Sequence, residues 1–459
     1  MKINSACKFP FNQTCLMTNI RGNHGYILPS VLLISFLIIT LLFGILSVIW
    51  FNHTLDIKRI NKKKLDLACY SAVHKHLILF AKDSTGGSYY TKIDSIDVLV
   101  NYHIKGLYYS VSAKSIYSRD SSKVNYLLAR DSTKEFQNAL IFSRPNITPV
   151  TVGDTKIIGN ILINGTRITR GNIFGIKNST DSYVDGSIKT SSTIEPKLMK
   201  ESLIKCLFDK VSFSNNSSSD KHRYSSDEID TANNITIQGD LTIGGTSTIP
   251  DNHKEHQILV QGKVYIENST ALNRDIEIYC DSTVEIGNDS KLENILIASK
   301  GKIIVKDNCE LKGTQLFSKR GIEINKSVLK YPSIVCLYNV TKDSSKVASN
   351  IELKSSVVNG SVILVTDVTG LSDNKSKVFI DEKSKVQGIV YSENNAEIKG
   401  TIIGSLYVYN LWFYKDPTEY LNWMVNLHVN RKDLSSSFLM PLGFNDSKEF
   451  KVLMEVWEY

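Results

Sequence analysis

Hydrophobic positions along this chain follow three rhythms. The first is an uninterrupted apolar run, Tyr26 to Phe51, with no charged residue inside it. As a helix, the 24 residues from Ile27 to Trp50 rise roughly 36 Å at about 1.5 Å per residue. The hydrocarbon core of a bilayer is about 30 Å thick, so residues 26–51 are predicted to form one transmembrane helix behind a leader, residues 1–25. The run far exceeds the roughly 7–15 residues of a cleavable signal's apolar core, and no small-x-small pattern follows it.

The second rhythm is local. Leu65, Ala68, Cys69, Ala72, His76 and Leu79 recur at three- and four-residue steps, which predicts a helical extension over 52–82 with one apolar-leaning face. Asp83-Ser84-Thr85-Gly86-Gly87 ends it. His74 and His76 are two apart, share no helical face, and read as surface or packing residues. Across 83–150 the period falls to two: Val98, Val100, Tyr102 and Ile104, then Leu107, Tyr109, Val111 and Ala113. That alternation predicts a small antiparallel hairpin or meander.

The third rhythm is long. Val284, Ile303 and Ile322 are spaced by 19, as are Ile286, Val305 and Ile324, and Ile278, Ile297 and Leu316. Leu292 and Leu311 form a fourth pair. Val264 and Ile266 join at a spacing of 20, and Leu241 and Ile243 lie 23 further back. A period of this size points to a repeat architecture. With two short strands per repeat, alternate side chains point inward and like residues stack about 4.8 Å apart. Nineteen residues leave no room for a helix, so the expected fold is mainly β. It is a parallel, right-handed β-helix solenoid over 151–410, carried by the transmembrane helix and a small α+β linker region. The core of the repeat is Val284, Ile303, Ile322, Ile286, Val305 and Ile324. Cys280, Ser299, Ser318 and Cys336 read as one column, which would hold the two cysteines three repeats apart and unbridged. The polar segment 212–234 reads as a surface loop. The aromatic-rich tail 411–459, with Trp412, Phe413, Tyr414, Tyr420 and Trp423 and a short helix near 448–456, reads as a cap on the last repeat's open edge.

The order at the front is specific: Arg21-Gly22-Asn23-His24-Gly25, then Tyr26-Ile27-Leu28-Pro29-Ser30-Val31-Leu32-Leu33. A basic leader ending in Gly, an apolar helix and a polar helical continuation resemble type IV pilin-like proteins over about the first 80 residues. The resemblance implies cleavage by a prepilin peptidase after Gly25, leaving Tyr26 as the mature N-terminus. Most pilins carry Glu five residues after the cut; this chain has Ser30, and some minor pilins and pseudopilins also lack the acid. The short regular repeats over 235–410 resemble bactofilin-type polymer-forming proteins, whose fold is a β-helix that assembles end to end.

Composition alters the picture in two places. The net charge is +8, concentrated beside the membrane in Lys58, Arg59, Lys62, Lys63 and Lys64, opposite only Lys2, Lys8 and Arg21 in the leader. Counted alone, that asymmetry places the large domain in the cytoplasm. Long domains translocate largely regardless of charge, and the basic block suits anionic headgroups, so the expected location of the large domain is extracytoplasmic. The seven cysteines, Cys7, Cys15, Cys69, Cys206, Cys280, Cys309 and Cys336, are odd in number and hold no CxxC pair, which reads as buried free thiols.

Candidate chemistry is sparse. His253-Lys254-Glu255-His256 beside Asp251 is the best metal candidate, yet it lacks the helical context of a zinc protease and reads as a solvated loop. Asp281, Glu285, Asp289 and Glu293 are close in sequence but interspersed with Lys, and read as an outward charged surface. There is no Walker loop, GxSxG elbow or dinucleotide fingerprint, no basic-aromatic stripe for nucleic acid, and no implied cofactor or metal. The expectation is a non-catalytic, membrane-anchored surface protein presenting a β-helix rod. Its partners are the bilayer, pilus or envelope proteins, and further copies of itself. The alternatives are a surface polysaccharide-binding or polysaccharide-degrading protein, which would add glycans as partners, and a cytoplasmic membrane-tethered scaffold similar to bactofilins. Intact mass of the purified mature chain is expected to place its first residue at Tyr26; a chain beginning at Met1 contradicts processing at Gly25.

Overall fold

The computed structural model describes residues 27–80, 86–118, 120–130, 135–165, 167–179, 183–191, 194, 197–210, 222–231, 234–246, 256–273, 275–340, 348–366, 376–444 and 450–453. The leader with Gly25 and Tyr26, residues 83–85 of the expected helix stop, residues 212–221 of the expected loop, and His253 with Asp251 lie outside them.

One helix, Ile27–Phe80, runs without a break from the apolar segment into the folded domain. It is long and apolar enough to cross a membrane, and its apolar side chains up to Phe51 are exposed. From Leu65 onward the pattern changes. Leu65, Ala68, Cys69, Ala72 and Val73 are buried because these spacings place them on one stripe of the helix. The stripe packs on an antiparallel meander, Gly87–Ile93, Ile96–Lys105, Tyr108–Tyr117 and Asp120–Arg130. Val98, Val100, Tyr102, Val111, Ala113, Tyr126 and Leu128 supply the facing side of this core. A fifth strand, Phe450–Leu453, pairs with Leu127–Arg130. The helix expected near 448–456 is therefore a strand over these residues: Phe450 to Leu453 spend their backbone bonds on an open sheet edge instead of on one another.

Beyond residue 139 the chain is dominated by one long, mainly parallel sheet of many strands. Each 19-residue repeat carries three short strands rather than two. In one repeat these are Ile276–Cys280, Val284–Ile286 and Lys291–Glu293; in the next, Leu296–Ser299, Ile303–Val305 and Glu310–Lys312. Each strand pairs in parallel with its counterpart one repeat on. Val284 lies against Ile303 and Ile303 against Ile322, while Ile286, Val305 and Ile324 form the adjoining line. All six are fully buried. The third strand of each repeat is only three residues long, with a single inward residue such as Leu292 or Leu311. One hydrophobic position per repeat is a weak periodic signal, which is why two strands are expected and three are found.

The second corner is built by polar residues. Ser269, Asp289, Asn308, Lys326 and Ser355 take left-handed backbone conformations there, and the next residue in each case, Thr270, Ser290, Cys309, Ser327 or Ser356, turns inward and is buried. The hydroxyls and thiol of the last four donate to carbonyls of the preceding row: Ser290 Oγ to Glu267 O at 3.1 Å, Cys309 Sγ to Gly287 O at 3.0 Å, Ser327 Oγ to Lys306 O at 2.7 Å, and Ser356 Oγ to Ile324 O at 3.1 Å. Farther along, the third and first strands fuse into long ones, Val357–Thr366, Lys385–Ile398 and Thr401–Lys415. Gly360, Gly388 and Gly404 are stacked at the bend with φ of 155°, 150° and 145°. A Cβ on Gly388 would run into the Gly360 carbonyl oxygen.

Several expectations are corrected. Ser318 pairs with Leu337, and Cys336 lies against Phe317, so Cys336 is one residue out of the Cys280 line and faces the other side of the sheet. Within 212–234, Arg223–Ser225 is a strand paired with Thr242–Gly244, and Ser226–Thr231 is a short helix whose Ile229 enters the core. The tail 411–459 covers the last repeat only in part, and with a strand in place of its first aromatic residues. Trp412 to Lys415 fold back on Thr418–Leu421 as a lateral hairpin. The edge beyond Thr401–Lys415 is covered jointly from both parts of the sequence: His428–Asn430 of the tail pairs with Thr401–Ile403, Leu140–Phe142 pairs with Leu406–Val408, and Lys156–Ile158 pairs in turn with His428–Asn430. Ile161–Ile163 and Ile188–Thr190 continue the same line. The long sheet thus begins in space with residues 223–244 and finishes with residues 140–190. Substituting Gly388→Ala is expected to cost about 1–3 kcal/mol, the range for a forced backbone conformation, and Ile303→Ala about 2–5 kcal/mol. Both are read as lowered denaturation midpoints.

Candidate functional site

The residues with chemical potential are distributed around the sheet. Asp281 follows the first strand of its repeat, Glu285 points outward from the second, Asp289 sits at the second corner and Glu293 lies on the third strand. They face different directions, and two are neutralised by the next repeat: Glu285 by Lys306 at 3.3 Å and Glu293 by Lys312 at 3.7 Å. His256 is not in a loop. It opens the strand His256–Val260, is buried, and pairs with Ile276. Among the described residues no three His, Cys, Asp or Glu side chains gather in a way that would hold a metal. His74 packs edge-on against Tyr70 and His76 stacks on Tyr89 at 5.1 Å; burial lowers both imidazole pKa values. Cys69, Cys206, Cys280, Cys309 and Cys336 are free thiols, and all but Cys206 are buried. Burial pushes the Cys280 thiol up to about 12, so it is a poor nucleophile at neutral pH.

A groove of about 430 Å³ opens between the helix and the meander, lined by Asn61, Lys64, Leu65, Leu67, Ile93 and Tyr117 among others. Its walls mix these apolar side chains with the polar groups of Asn61, Lys64, Ser71 and Asp94.

A second buried apolar surface is the outer face of the first-strand column. It carries Tyr279, Leu296, Ala298, Phe317, Ile334, Cys336, Tyr338, Ile363, Tyr391 and Tyr407, and it is buried although it points away from the core. Phe136, packed on Tyr407, and three longer parts of the chain cover it. The meander contributes Leu107, Tyr108, Leu127 and Ala129. It is held by Leu107 N donating to Gln315 Oε1 at 2.9 Å, Gln315 Nε2 donating to Lys105 O at 3.1 Å, and Lys105 Nζ donating to Asn294 O at 2.9 Å. The buried Lys105 ammonium also pairs with Asp275. Residues 434–444 contribute Leu434, Phe438, Leu439, Met440 and Phe444.

The third cover is a strap, residues 197–210. It contains the helix Glu201–Asp209, whose Ile204, Leu207 and Phe208 are buried. It crosses several rows between the strand ending the long sheet at Ile188–Thr190 and the strand beginning it at Arg223–Ser225. The strap is clamped at both ends by a tyrosine, a glutamate and a lysine. At the front, Leu198 N donates to Tyr391 Oη at 2.8 Å and Tyr391 Oη donates to Glu393 Oε1 at 2.8 Å. Lys197 stands 4.0 Å from Glu393 and 3.0 Å from Glu201, and Tyr338 Oη donates to Glu201 Oε2 at 3.1 Å. At the back, Lys210 Nζ donates to Tyr279 Oη at 3.0 Å, and Tyr279 Oη donates to Glu277 Oε2 at 2.9 Å. Glu393 is fully buried, and that burial raises its carboxyl to about 7 against the hydrogen bonds from Tyr391 and Thr366 N.

The remaining outward faces carry charge pairs that bridge successive rows. Glu323 accepts from Lys302 at 2.8 Å and from Lys354 at 3.0 Å, and these hydrogen bonds hold its carboxyl down to about 2. Glu310 with Lys330, Asp307 with Lys326 and Glu397 with Lys377 repeat the arrangement. The geometry is that of a covered, cross-braced scaffold. The strap and its clamps carry no periodic signature in the sequence. The available signal was that the first strands read almost continuously apolar, as in Leu296-Ile297-Ala298, which marks a sheet buried on both faces.

Comparison with family models, with curated proteins and with solved structures finds no match to this chain.

Because the Glu323 carboxyl is lowered by its two lysines, its contribution is present above the ordinary glutamate value of 4.5 and is lost as the pH falls toward about 2. Glu323→Gln is expected to lower stability by about 1 kcal/mol at pH 7, since surface pairs are screened, and by nothing at the acid end. Urea denaturation at the two pH values reads the difference.

Proposed function

We propose that this chain is a membrane-anchored, non-catalytic structural protein of the cell envelope. Its N-terminal helix holds it in the bilayer, with the basic residues Lys58 to Lys64 against anionic headgroups. Its three strand columns close into a right-handed parallel β-helix that presents a stiff body at the surface. The right hand follows the general rule for parallel crossovers. The observation that carries this reading is mechanical continuity. The helix that begins in the apolar segment is packed along the meander by Leu65 to Val73, and the meander is bonded to the long sheet through Lys105, Leu107 and Gln315. A force on the rod is thereby transmitted to the anchor through packed elements instead of a linker.

A pilin-like role as an assembly component is the form of this function that the front of the sequence supports. Cleavage after Gly25 would leave Tyr26 leading the same helix. Covalent chemistry has no support from the outward carboxylates, which are spread over different faces, with Glu285 and Glu293 paired to lysines of the neighbouring row.

Orientation is tested on intact cells with a membrane-impermeant amine reagent, followed by peptide mass spectrometry. The exposed Lys326 and Lys432 (65% and 59% exposed side chains) are expected to be labelled before lysis. Labelling only after lysis contradicts an envelope location and supports the cytoplasmic membrane-tethered scaffold.

A further inference from the structure

Glu393 is a carboxyl with no solvent exposure, and it lies under the front clamp of the strap. Among the described residues, the groups that face it come from four elements. Its own strand contributes Tyr391, whose hydroxyl donates to Oε1. The neighbouring row contributes Thr366 N, which donates to Oε2 at 3.0 Å. The row beyond contributes the Cys336 thiol and the Tyr338 hydroxyl, both of which feel its charge. The strap contributes Lys197 and Glu201. The strap's cation is already committed: Lys197 stands 3.0 Å from Glu201 but 4.0 Å from Glu393. An ionised Glu393 would therefore face a strap that offers it a lysine and an opposing carboxylate together. A neutral Glu393 faces no such conflict and keeps the relay from the Leu198 amide through Tyr391 intact.

The back clamp differs. Glu277 has Gln257 Nε2 at 2.8 Å as well as Tyr279, with Lys210 at 3.6 Å. The donor count matches that at Glu393, but the lysine is nearer and the carboxyl is not fully buried.

We propose that Glu393 is a proton-operated bolt: the strap, residues 197–210, stays seated on the first-strand column while Glu393 is protonated and lifts from it when the carboxyl ionises. Lifting hydrates the carboxylate and separates Glu201 from it. It also uncovers Tyr338, Phe317 and Tyr279, the apolar surface on which Ile204, Leu207 and Phe208 rest. The step is an ionisation only: one proton leaves Glu393 for solvent and no bond between heavy atoms changes. A carboxyl whose proton is held more tightly in the closed state favours closure at low pH. That preference is complete below the ordinary glutamate value of 4.5, declines as the pH rises toward about 7, and is exhausted above it.

The test is hydrogen–deuterium exchange of the full chain in detergent micelles. The readout is protection of the 201–209 amides, corrected for intrinsic exchange, compared with the 303–305 amides of the core. Wild type is expected to lose protection of 201–209 severalfold per pH unit between 5 and 7 and to level off above 7, while 303–305 stays unchanged. Glu393→Gln, which preserves shape and neutrality, is expected to hold the strap at its low-pH protection throughout. Lys197→Gln is expected to move the levelling point to higher pH and Glu201→Gln to lower pH. A flat wild-type profile, a step that survives in Glu393→Gln, or shifts in the same direction for the other two variants overturns the proposal. Loss of 303–305 protection in step with 201–209 also overturns it, because opening is then global.

Discussion

Parallel pairing of one row of short strands on the next is the constraint from which the rest of this structure follows. Each row closes its hydrogen bonds only with a neighbour on either side, and its aliphatic residues are dry only when both neighbours are present. Val284, Ile303 and Ile322 exclude water together or not at all. A stack built this way is stiff along its length and carries two liabilities. Its ends are open, and a face made of residues such as Tyr279, Phe317 and Tyr391 points outward.

The chain answers both liabilities with its own segments. At one end the short helix Ser226–Thr231 places Ile229 into the core. At the other, strands from residues 140–190 extend the stack past the last C-terminal row. The outward apolar face is covered by the meander, the strap and residues 434–444. The C-terminal strand Phe450–Leu453 then returns to the meander sheet, so the first and last described elements share one small domain. The long helix, the meander and the long sheet are consequently braced against each other at several points.

The parts legible in the sequence were those where one residue type repeats in one environment. The period of 19, the lines through Val284 and Ile286, the meander and the uninterrupted helix all belong to that class. The third strand was hidden because it buries one side chain per repeat. The Cys336 line slipped because spacing alone does not register the long strand Val328–Asn339, which serves two columns. The junction between residues 140–158 and 406–430 was illegible for a deeper reason. Stacked rows look alike, so periodicity reveals that rows stack without revealing which end of the chain continues which. Of the candidate groups, the outward carboxylates were readable as surface charges because lysines alternate with them. The buried Glu393 was not, since nothing in Tyr391-Ser392-Glu393-Asn394 announces a strap that passes over it.

The junction of the two ends is the most demanding feature of this account, and it can be tested on the native protein by zero-length carbodiimide cross-linking with peptide mass spectrometry. Asp185 and Lys432 are 247 residues apart in sequence, and their side chains meet at 2.7 Å. A Lys432–Asp185 cross-link is expected alongside row-to-row links such as Lys354–Glu323. Recovery of the row-to-row links without any bond between residues 185 and 432 would contradict the junction.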